Sequence, residues 1–290
     1  LSFSTSTSGA QFRLIDPMGR EGPRRNVTDL ASVRLGMDGV WTLIMLPPLN
    51  RTDGLVYSFR IIRQQSTALP LEFGERRRDT PSETRARLEY TFTMPEAGEV
   101  YFDSLLSDSR ATWSLHDTQG RRIAGDEFDD DTGGLSRQWL NAGTYRLLVQ
   151  RTDDQVTELP FRLLRFAELP QITPGAPVRT VLDPGSVTQG FRFEGEAGQR
   201  LKVALGQAGS GAAAWRMIGP DGQEVFAGTS ITDIDAVQLH QTGTYVLLLE
   251  GRIGFDAPLA LSLNLIDTPR RTPEPTASTT LNAPDLVPSG

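Results

Sequence analysis

The residues best suited to chemistry lie in one acidic run, Asp126-Glu127-Phe128-Asp129-Asp130-Asp131, followed by Thr132-Gly133-Gly134. Five carboxylates in six positions could supply the six to eight oxygens that calcium prefers, and the glycines permit a tight wrap. No glutamate stands at the twelfth position, so the run is not an EF-hand loop. Asp126, Glu127, Asp129, Asp130 and Asp131 are therefore the candidate calcium ligands, with a solvated acidic loop tip as the plainer alternative. Trp139, which has no aromatic counterpart elsewhere in the chain, is the candidate contact for a sugar or a protein.

Other chemistries lack their residues. The two histidines, His116 and His240, have no cysteine or second histidine at ligand spacing, and zinc needs three or four such ligands. The chain has no cysteine, which excludes thiol catalysis and leaves the redox compartment open. No serine sits in a Gly-x-Ser-x-Gly elbow. The glycine-rich stretch Leu205 to Ala212 lacks the Gly-Lys-Ser that a phosphate cradle needs and reads as an inter-strand loop. Glu99, Asp103 and Asp117 could be imagined as paired glycosidase carboxylates, but read as ordinary turn acids. The expectation is a chain that is not an enzyme.

The elements that must carry these residues announce themselves by repetition. Gly143-Thr144-Tyr145-Arg146-Leu147-Leu148-Val149 returns as Gly243-Thr244-Tyr245-Val246-Leu247-Leu248-Leu249, and in variant form as Gly39-Val40-Trp41-Thr42-Leu43-Ile44-Met45. A glycine turn before a β-branched, aromatic and aliphatic run marks a buried strand. Around each phrase lie further alternating segments, such as Leu88 to Met94 and Val100 to Leu105, with turn residues every 8–12 positions. The fold class expected is all-β: tandem antiparallel β-sandwich modules, jelly-roll or immunoglobulin-like, of about 100 residues, the first starting mid-module. The boundaries read as 1–66 for the second half of a module, 67–167 and 168–267 for complete modules, and 268–290 for a Pro/Thr-rich linker or lead-in to a further module. Proline- and charge-rich joints, Leu69 to Pro81 and Glu168 to Pro184, separate the units. No helix is expected. Trp113, Trp215 and Phe12 fall at equivalent places and read as core; Trp41 takes the place of Tyr145 and Tyr245.

The units resemble the bacterial pre-peptidase C-terminal domain family. The resemblance rests on the aromatic-x-Phe strand (Tyr90-Thr91-Phe92; Phe191-Arg192-Phe193), the Glu-Ala-Gly turn after it, the Asp117 to Gly120 turn, and Ala142-Gly143-Thr144-Tyr145. It covers roughly 75–267 and, as a half-unit, 1–64. Gly219 to Gly222 departs from it, with glycine in place of the first aspartate. The resemblance implies a secreted or surface accessory module, some relatives binding calcium or matrix polymers. Gln189-Gly190 and Leu88-Glu89 stand where many members carry an acid before the first-strand aromatic, which weakens a calcium role for that strand.

The formal net charge of −7 argues against a nucleic-acid partner. No run approaches 18 apolar residues, so no transmembrane segment is expected. Lys202 is the only lysine among many arginines, which reads as a GC-rich bacterial coding bias. The chain starts without methionine, charged start or apolar core, so a signal peptide has been removed or the chain is a window from a longer array. Its expected role is a non-catalytic spacer, adhesive or assembly element outside the cytoplasm: extracellular, on the cell surface or in the periplasm. The expected partners are other modules of the same chain or assembly subunits, with a surface polymer or protein also possible. Two alternatives stand beside it: an accessory region of a secreted hydrolase that binds substrate or calcium, and a subunit joined to an assembly by strand donation.

Overall fold

The computed structural model describes residues 2–5, 10–26, 35, 37–48, 57–60, 68–82, 87–128, 136–207, 213–228 and 232–268. The chain divides into two compact units, Leu1–Thr67 and Ala68–Gly290. It is an all-β protein of mainly antiparallel sheets; its one helical piece among the described residues is a 3-10 turn at Phe166–Glu168, where no helix was expected.

The first unit holds β1 (Ser2–Thr5), β2 (Gln11–Ile15), β3 (Arg25–Asn26), β4 (Thr42–Leu46) and β5 (Tyr57–Arg60). β1 pairs with β5, and β2 lies between β3 and β4 in a second sheet.

The second unit begins with β6 (Leu69–Pro70), β7 (Arg87–Met94), β8 (Gly98–Ser104), β9 (Ala111–His116), β10 (Arg122–Ala124), β11 (Arg137–Leu140), β12 (Gly143–Arg151) and β13 (Phe161–Arg165). These form a sheet ordered β10-β9-β12-β7-β6 and a smaller one ordered β11-β8-β13. Alternation puts Tyr90, Phe92, Trp113, Leu115, Tyr145 and Leu147 of the first sheet against Val100, Phe102, Phe161 and Leu163 of the second. Phe102 stacks on Trp113 at 4.3 Å between ring centroids and on Phe161 at 5.4 Å.

The same plan then repeats. β14 (Val178–Leu182), β15 (Thr188–Gly195), β16 (Arg200–Gln207), β17 (Ala213–Ile218), β18 (Glu224–Gly228), β19 (Ile234–Gln238), β20 (Gly243–Gly251) and β21 (Leu259–Asp267) form sheets ordered β14-β21-β16-β19 and β15-β20-β17-β18. A second core holds Phe191, Phe193, Trp215, Met217, Tyr245 and Leu247 against Leu201, Val203, Leu263 and Leu265.

The repeated phrase keeps its geometry in all three copies. Gly39, Gly143 and Gly243 have φ of +133°, +149° and +150°, a region open to glycine and costly to other residues. Four residues before each aromatic lies a carbonyl that it bonds. Tyr145 donates its hydroxyl to Asn141 O at 2.9 Å, Tyr245 to Gln241 O at 2.7 Å, and Trp41 donates Nε1–H to Met37 O at 3.2 Å. The upstream turns match as well, Gly19 N–H, Gly120 N–H and Gly222 N–H each donating to a carbonyl three residues back, at Asp16, Asp117 and Gly219. Phe12, Trp113 and Trp215 are all core residues, at 1%, 3% and 1% exposure.

The expected proline-rich joints turn out to be parts of the sheets. Leu69 and Pro70 pair in parallel with β7, and Leu71 N–H donates to Thr91 O at 2.9 Å. At the equivalent place Gln171 bridges Arg192 in parallel, and Ile172 N–H donates to Arg192 O at 2.7 Å. The second joint also contains β14. Proline is tolerated there because these are edges, where one row of backbone groups is free of the ladder.

Candidate functional site

The most unusual feature of the second unit is the layer between its two sandwiches. β8 and β20 are buried on both faces. β8 sends Val100 and Phe102 into its own core, while Tyr101 and Asp103, each 0% exposed, point the other way. β20 sends Tyr245, Leu247 and Leu249 inward, and Val246, Leu248 and Glu250 outward. Tyr101, Leu164, Phe166 and Leu169 meet Ile218, Val246 and Leu248 in a third apolar cluster. The outer face of the β11-β8-β13 sheet therefore packs on the outer face of the β15-β20-β17-β18 sheet, making four stacked layers.

Two ion pairs are built into this layer. Asp103 Oδ2 accepts from Arg162 Nε at 2.8 Å, from Arg162 Nη2 at 2.5 Å and from the Thr188 backbone N–H at 3.2 Å. Arg162 Nη2 also donates to Thr188 O at 2.5 Å. Glu250 lies directly opposite Thr188 across the β15–β20 ladder. Its carboxylate takes Arg216 Nη2 at 3.2 Å and the Tyr101 hydroxyl at 3.3 Å, with Arg216 Nε 2.9 Å from Oε1. Each pair lies within one sandwich and is capped by hydrogen bonds from the other, Thr188 on the Asp103 pair and Tyr101 on the Glu250 pair. At the rim, Arg165 holds Glu96 at 2.7 Å and Glu168 at 2.9 Å, and Arg76 donates to Asp183 O.

Burial sets the electrostatics here. Desolvation pushes the Asp103 carboxyl above its ordinary value, against the pull of Arg162. Desolvation likewise raises Glu250, with Asp103 adding to the rise and Arg216 and Tyr101 opposing it. For Arg216, burial works downward, but Glu250 and Tyr101 outweigh it and the guanidinium is held more firmly charged. These carboxylates are spent on guanidiniums and closed to solvent, so the arrangement can lock two sheets together but cannot reach a substrate. Asp103 was read as a turn acid; it sits instead within β8, one residue from its end, where a local spacing argument could not see its partner. Glu99 too is within β8, half-buried and 3.8 Å from Arg137, while Asp117 does lie at its turn, bonded to Arg121.

The sequence-derived candidates fall elsewhere. Asp129, Asp130 and Asp131 lie outside the described residues. Asp126 is half-buried and Glu127 exposed; the backbone of Asp126 exchanges hydrogen bonds with Trp113, and its Oδ1 accepts Glu127 N–H at 3.0 Å. Phe128, within the acidic run, is 0% exposed and packs edge-on against Phe102 at 5.4 Å, so the run is tethered to the core at that point. Among the described residues no three acids or histidines stand close enough together to hold a metal ion. Trp139 is 64% exposed on the edge strand β11, opposite Glu99 and two residues from Arg137. It is separate from the buried layer's ion pairs. His116 bonds locally, Nδ1 with Gly120 O at 3.2 Å and Nε2 with Ser114 Oγ at 2.9 Å, and burial holds its pKa below the ordinary imidazole value. Among the described residues no helix is long and apolar enough to cross a membrane.

No protein-family model matches the chain, and no curated protein matches it. Solved structures match it weakly. The CUB1-EGF-CUB2 domain of human MASP-1/3 is 11% identical, covering 66% of this chain and 98% of that one, with a TM-score of 0.24. The corresponding domains of rat MASP-1 are 11% identical over 69% of this chain and 100% of that one, with a TM-score of 0.25. A triple jelly roll from the turret assembly of an archaeal virus is 11% identical over 89% of this chain and 78% of that one, with a TM-score of 0.17. Superpositions this poor add nothing to the β-sandwich architecture that the sheets themselves display.

Proposed function

We propose that this chain is a non-catalytic structural segment of an extracytoplasmic bacterial protein, with modules of the pre-peptidase C-terminal kind, acting as a stiff spacer or assembly element. The observation that carries the reading is the four-layer body at 68–268. An apolar cluster and two buried ion pairs fix one sandwich on the next, so this pair has no free joint. Relative motion of the sandwiches would expose Tyr101, Val246 and Leu248 and take the Thr188 backbone away from Asp103 and Arg162. That suits a part that must hold a distance or an angle, and it departs from a string of modules swinging on proline hinges.

Pulling the chain from its two ends tests this. A fused body of about 200 residues should release roughly 700 Å of contour in one event, at about 3.6 Å per residue. Two separate events of about half that length each would show independent beads and overturn the stiff-spacer reading.

A second reading, an accessory region that binds a polymer for a secreted hydrolase, is favoured by Trp139 alone. An exposed tryptophan beside Arg137 and Glu99 offers a flat apolar ring next to hydrogen-bonding groups. Retention on insoluble polysaccharide that vanishes in Trp139→Ala would support it; equal retention of both proteins would sink it.

A further inference from the structure

The joint between the two sandwiches of the second unit is of a kind that can propagate. A face of the first sandwich, on β8 and β13, meets a different face of the next, on β15, β20 and β17, and both sandwiches share one plan. Each therefore also carries the counterpart of the face that the other uses. The second sandwich has it on β16 and β21, and the first on β7, β12 and β9. A contact between two different faces of one body continues from molecule to molecule and builds an open filament, unless the free faces refuse each other.

The ladders fix which residues correspond. On β8 and β13 the inward pair is Phe102 and Leu163, and the outward pairs beside it are Tyr101 with Leu164 and Asp103 with Arg162. On β16 and β21 the inward pair is Val203 and Leu265, and the outward pairs are Lys202 with Ile266 and Ala204 with Asn264. An ammonium thus stands in place of the Tyr101 ring, and a methyl and an amide replace the Asp103–Arg162 ion pair. Lys202 is held by Asp235 at 3.1 Å and Asp233 at 3.5 Å on the neighbouring strand β19, and its hydrogen bond to Asp235 keeps it firmly charged.

The opposite face changes in the matching way. In the second sandwich Val246 stands opposite Ile218, and Leu248 stands opposite Gly190. In the first sandwich those places hold Arg146 opposite His116, and Leu148 opposite Glu89. His116 is also opposite Arg122, so a row of basic side chains crosses three strands where the second sandwich has an apolar seat. Gly190 matters for a separate reason. A Cβ there would come within 2.6 Å of Leu169 Cδ1, so the bare backbone is what lets the end of the first sandwich sit down. Glu89 puts a whole side chain at that place and ties it to Arg146 at 3.3 Å.

We infer that Lys202 on one face and Glu89, His116 and Arg146 on the other are specificity residues, which stop two molecules from stacking through the interface that joins the sandwiches within one. Repeating the joint between molecules would bring Lys202 of one into the place where Tyr101 meets Ile218, Val246 and Leu248, now occupied by His116, Arg146 and Leu148 of the other. Two like charges would be desolvated against each other, and Glu89 would fill the seat that Gly190 leaves open. Building a repulsion against the wrong partner, while keeping the attraction for the right one, is how closely similar surfaces are told apart. Stacked repeats are closed by the same means, with a polar outer face at each end. This rests on the fused-body reading and deepens it, since a spacer of fixed length needs a joint that forms once and stops. The pulling experiment tests the joint inside one molecule; the mixing experiment below tests only the free faces, so the two can fail separately.

The test uses the full chain and two triple variants, each of which gives one free face the residues of the joint. The first carries Lys202→Tyr, Ala204→Asp and Asn264→Arg; the second carries Glu89→Gly, His116→Ile and Arg146→Val. Sedimentation reads the mass, and a urea melt checks that each variant folds. The parent should keep one mass from micromolar to millimolar concentration. Each triple variant alone should do the same, because its other face is unchanged. Mixed in equal amounts they should form a dimer and nothing larger, since the dimer still ends in one Lys202 face and one Arg146 face. Putting Lys202 or Glu89 back should weaken that dimer about a hundredfold or more. Should a triple variant unfold, the single changes Lys202→Tyr and Arg146→Val are mixed and read in its place. Three results overturn the inference: a parent whose mass grows end to end with concentration, a mixture of folded variants that stays monomeric, or a dimer indifferent to the return of Lys202 and Glu89.

Discussion

Removing Arg162 puts the buried charge beside the joint under its sharpest test. In Arg162→Met the guanidinium that gives Asp103 Oδ2 two hydrogen bonds is gone, while the Thr188 N–H at 3.2 Å remains. Asp103 is 0% exposed, so it keeps a charge with no counter-ion or must take up a proton. Breaking a buried pair from one side costs about 3–5 kcal/mol, because desolvation of the remaining charge is left uncompensated. In a body of about 200 residues each kcal/mol moves Tm by about 2–4 °C, so the loss is about 6–20 °C. Replacing both partners is a different matter. Asp103→Leu with Arg162→Met leaves apolar groups beside Tyr101 and Leu164, and such replacements are near neutral or stabilising by about 1–4 kcal/mol. Urea titration of the full chain at pH 7 reads both proteins, with the slope checked against the parent so that a change in midpoint means a change in stability. A coupling of several kcal/mol between the two changes is expected. If Arg162→Met costs less than about 1 kcal/mol, or the double replacement costs the sum of the singles, the pair is not a buried lock and the argument fails.

The pH response follows from the same residues. Asp103 and Glu250 are acids whose pKa is raised on folding, so the folded state binds their protons more tightly than the unfolded state does. Their ionisation therefore subtracts stability above the folded pKa values, and that cost is relieved as pH falls through them toward the unfolded values. Thermal midpoints should rise on mild acidification before general acid denaturation sets in, and Asp103→Asn should flatten that rise; a monotonic fall from pH 8 in both proteins would contradict it. Val246→Arg, which copies the residue at the equivalent place in β12, should split the four layers and give two thermal transitions by calorimetry where the parent gives one. Tyr245→Phe removes the hydroxyl that donates to Gln241 O and accepts from Gln241 N–H, and should cost about 1–3 kcal/mol in a urea melt, leaving the fold intact by circular dichroism. If the run from Asp126 to Asp131 takes calcium, millimolar calcium should raise Tm in the parent and not in a chain with Asp129, Asp130 and Asp131 changed to asparagine.

How much of this was legible in the sequence depends on whether the information was local. The repeat, the strands and the core tryptophans were readable because a half-buried strand writes its two faces alternately, and the turn glycines mark its start. The joint was not readable in that way, because Asp103 and Thr188 are far apart in sequence and nothing near Asp103 announces a partner. One local signal did exist. Gly243-Thr244-Tyr245-Val246-Leu247-Leu248-Leu249 is apolar without a break from Tyr245 on, whereas its counterpart has Arg146 at the outward position. An unbroken apolar strand is one covered on both faces. Comparing the copies for outward positions that turn apolar would have located the covered face of β20, and the same comparison finds nothing of the kind on β12, where Arg146 pairs with Glu89 at 3.3 Å near solvent. Phe128 teaches the converse. Inside an acidic run it looked incidental, yet it is the residue that fixes the run to the core, since one fully buried ring outweighs in position what the surrounding carboxylates suggest in charge. In the first unit the logic reverses again. Leu14, Leu43 and Met45 keep the inward pattern of the other copies, but they are half-buried, so their sequence specifies a complete face that the described strands only partly cover. A repeat protein thus carries its own reference state, and a departure from it, apolar outside on β20, is where the contact with the neighbouring sandwich is encoded.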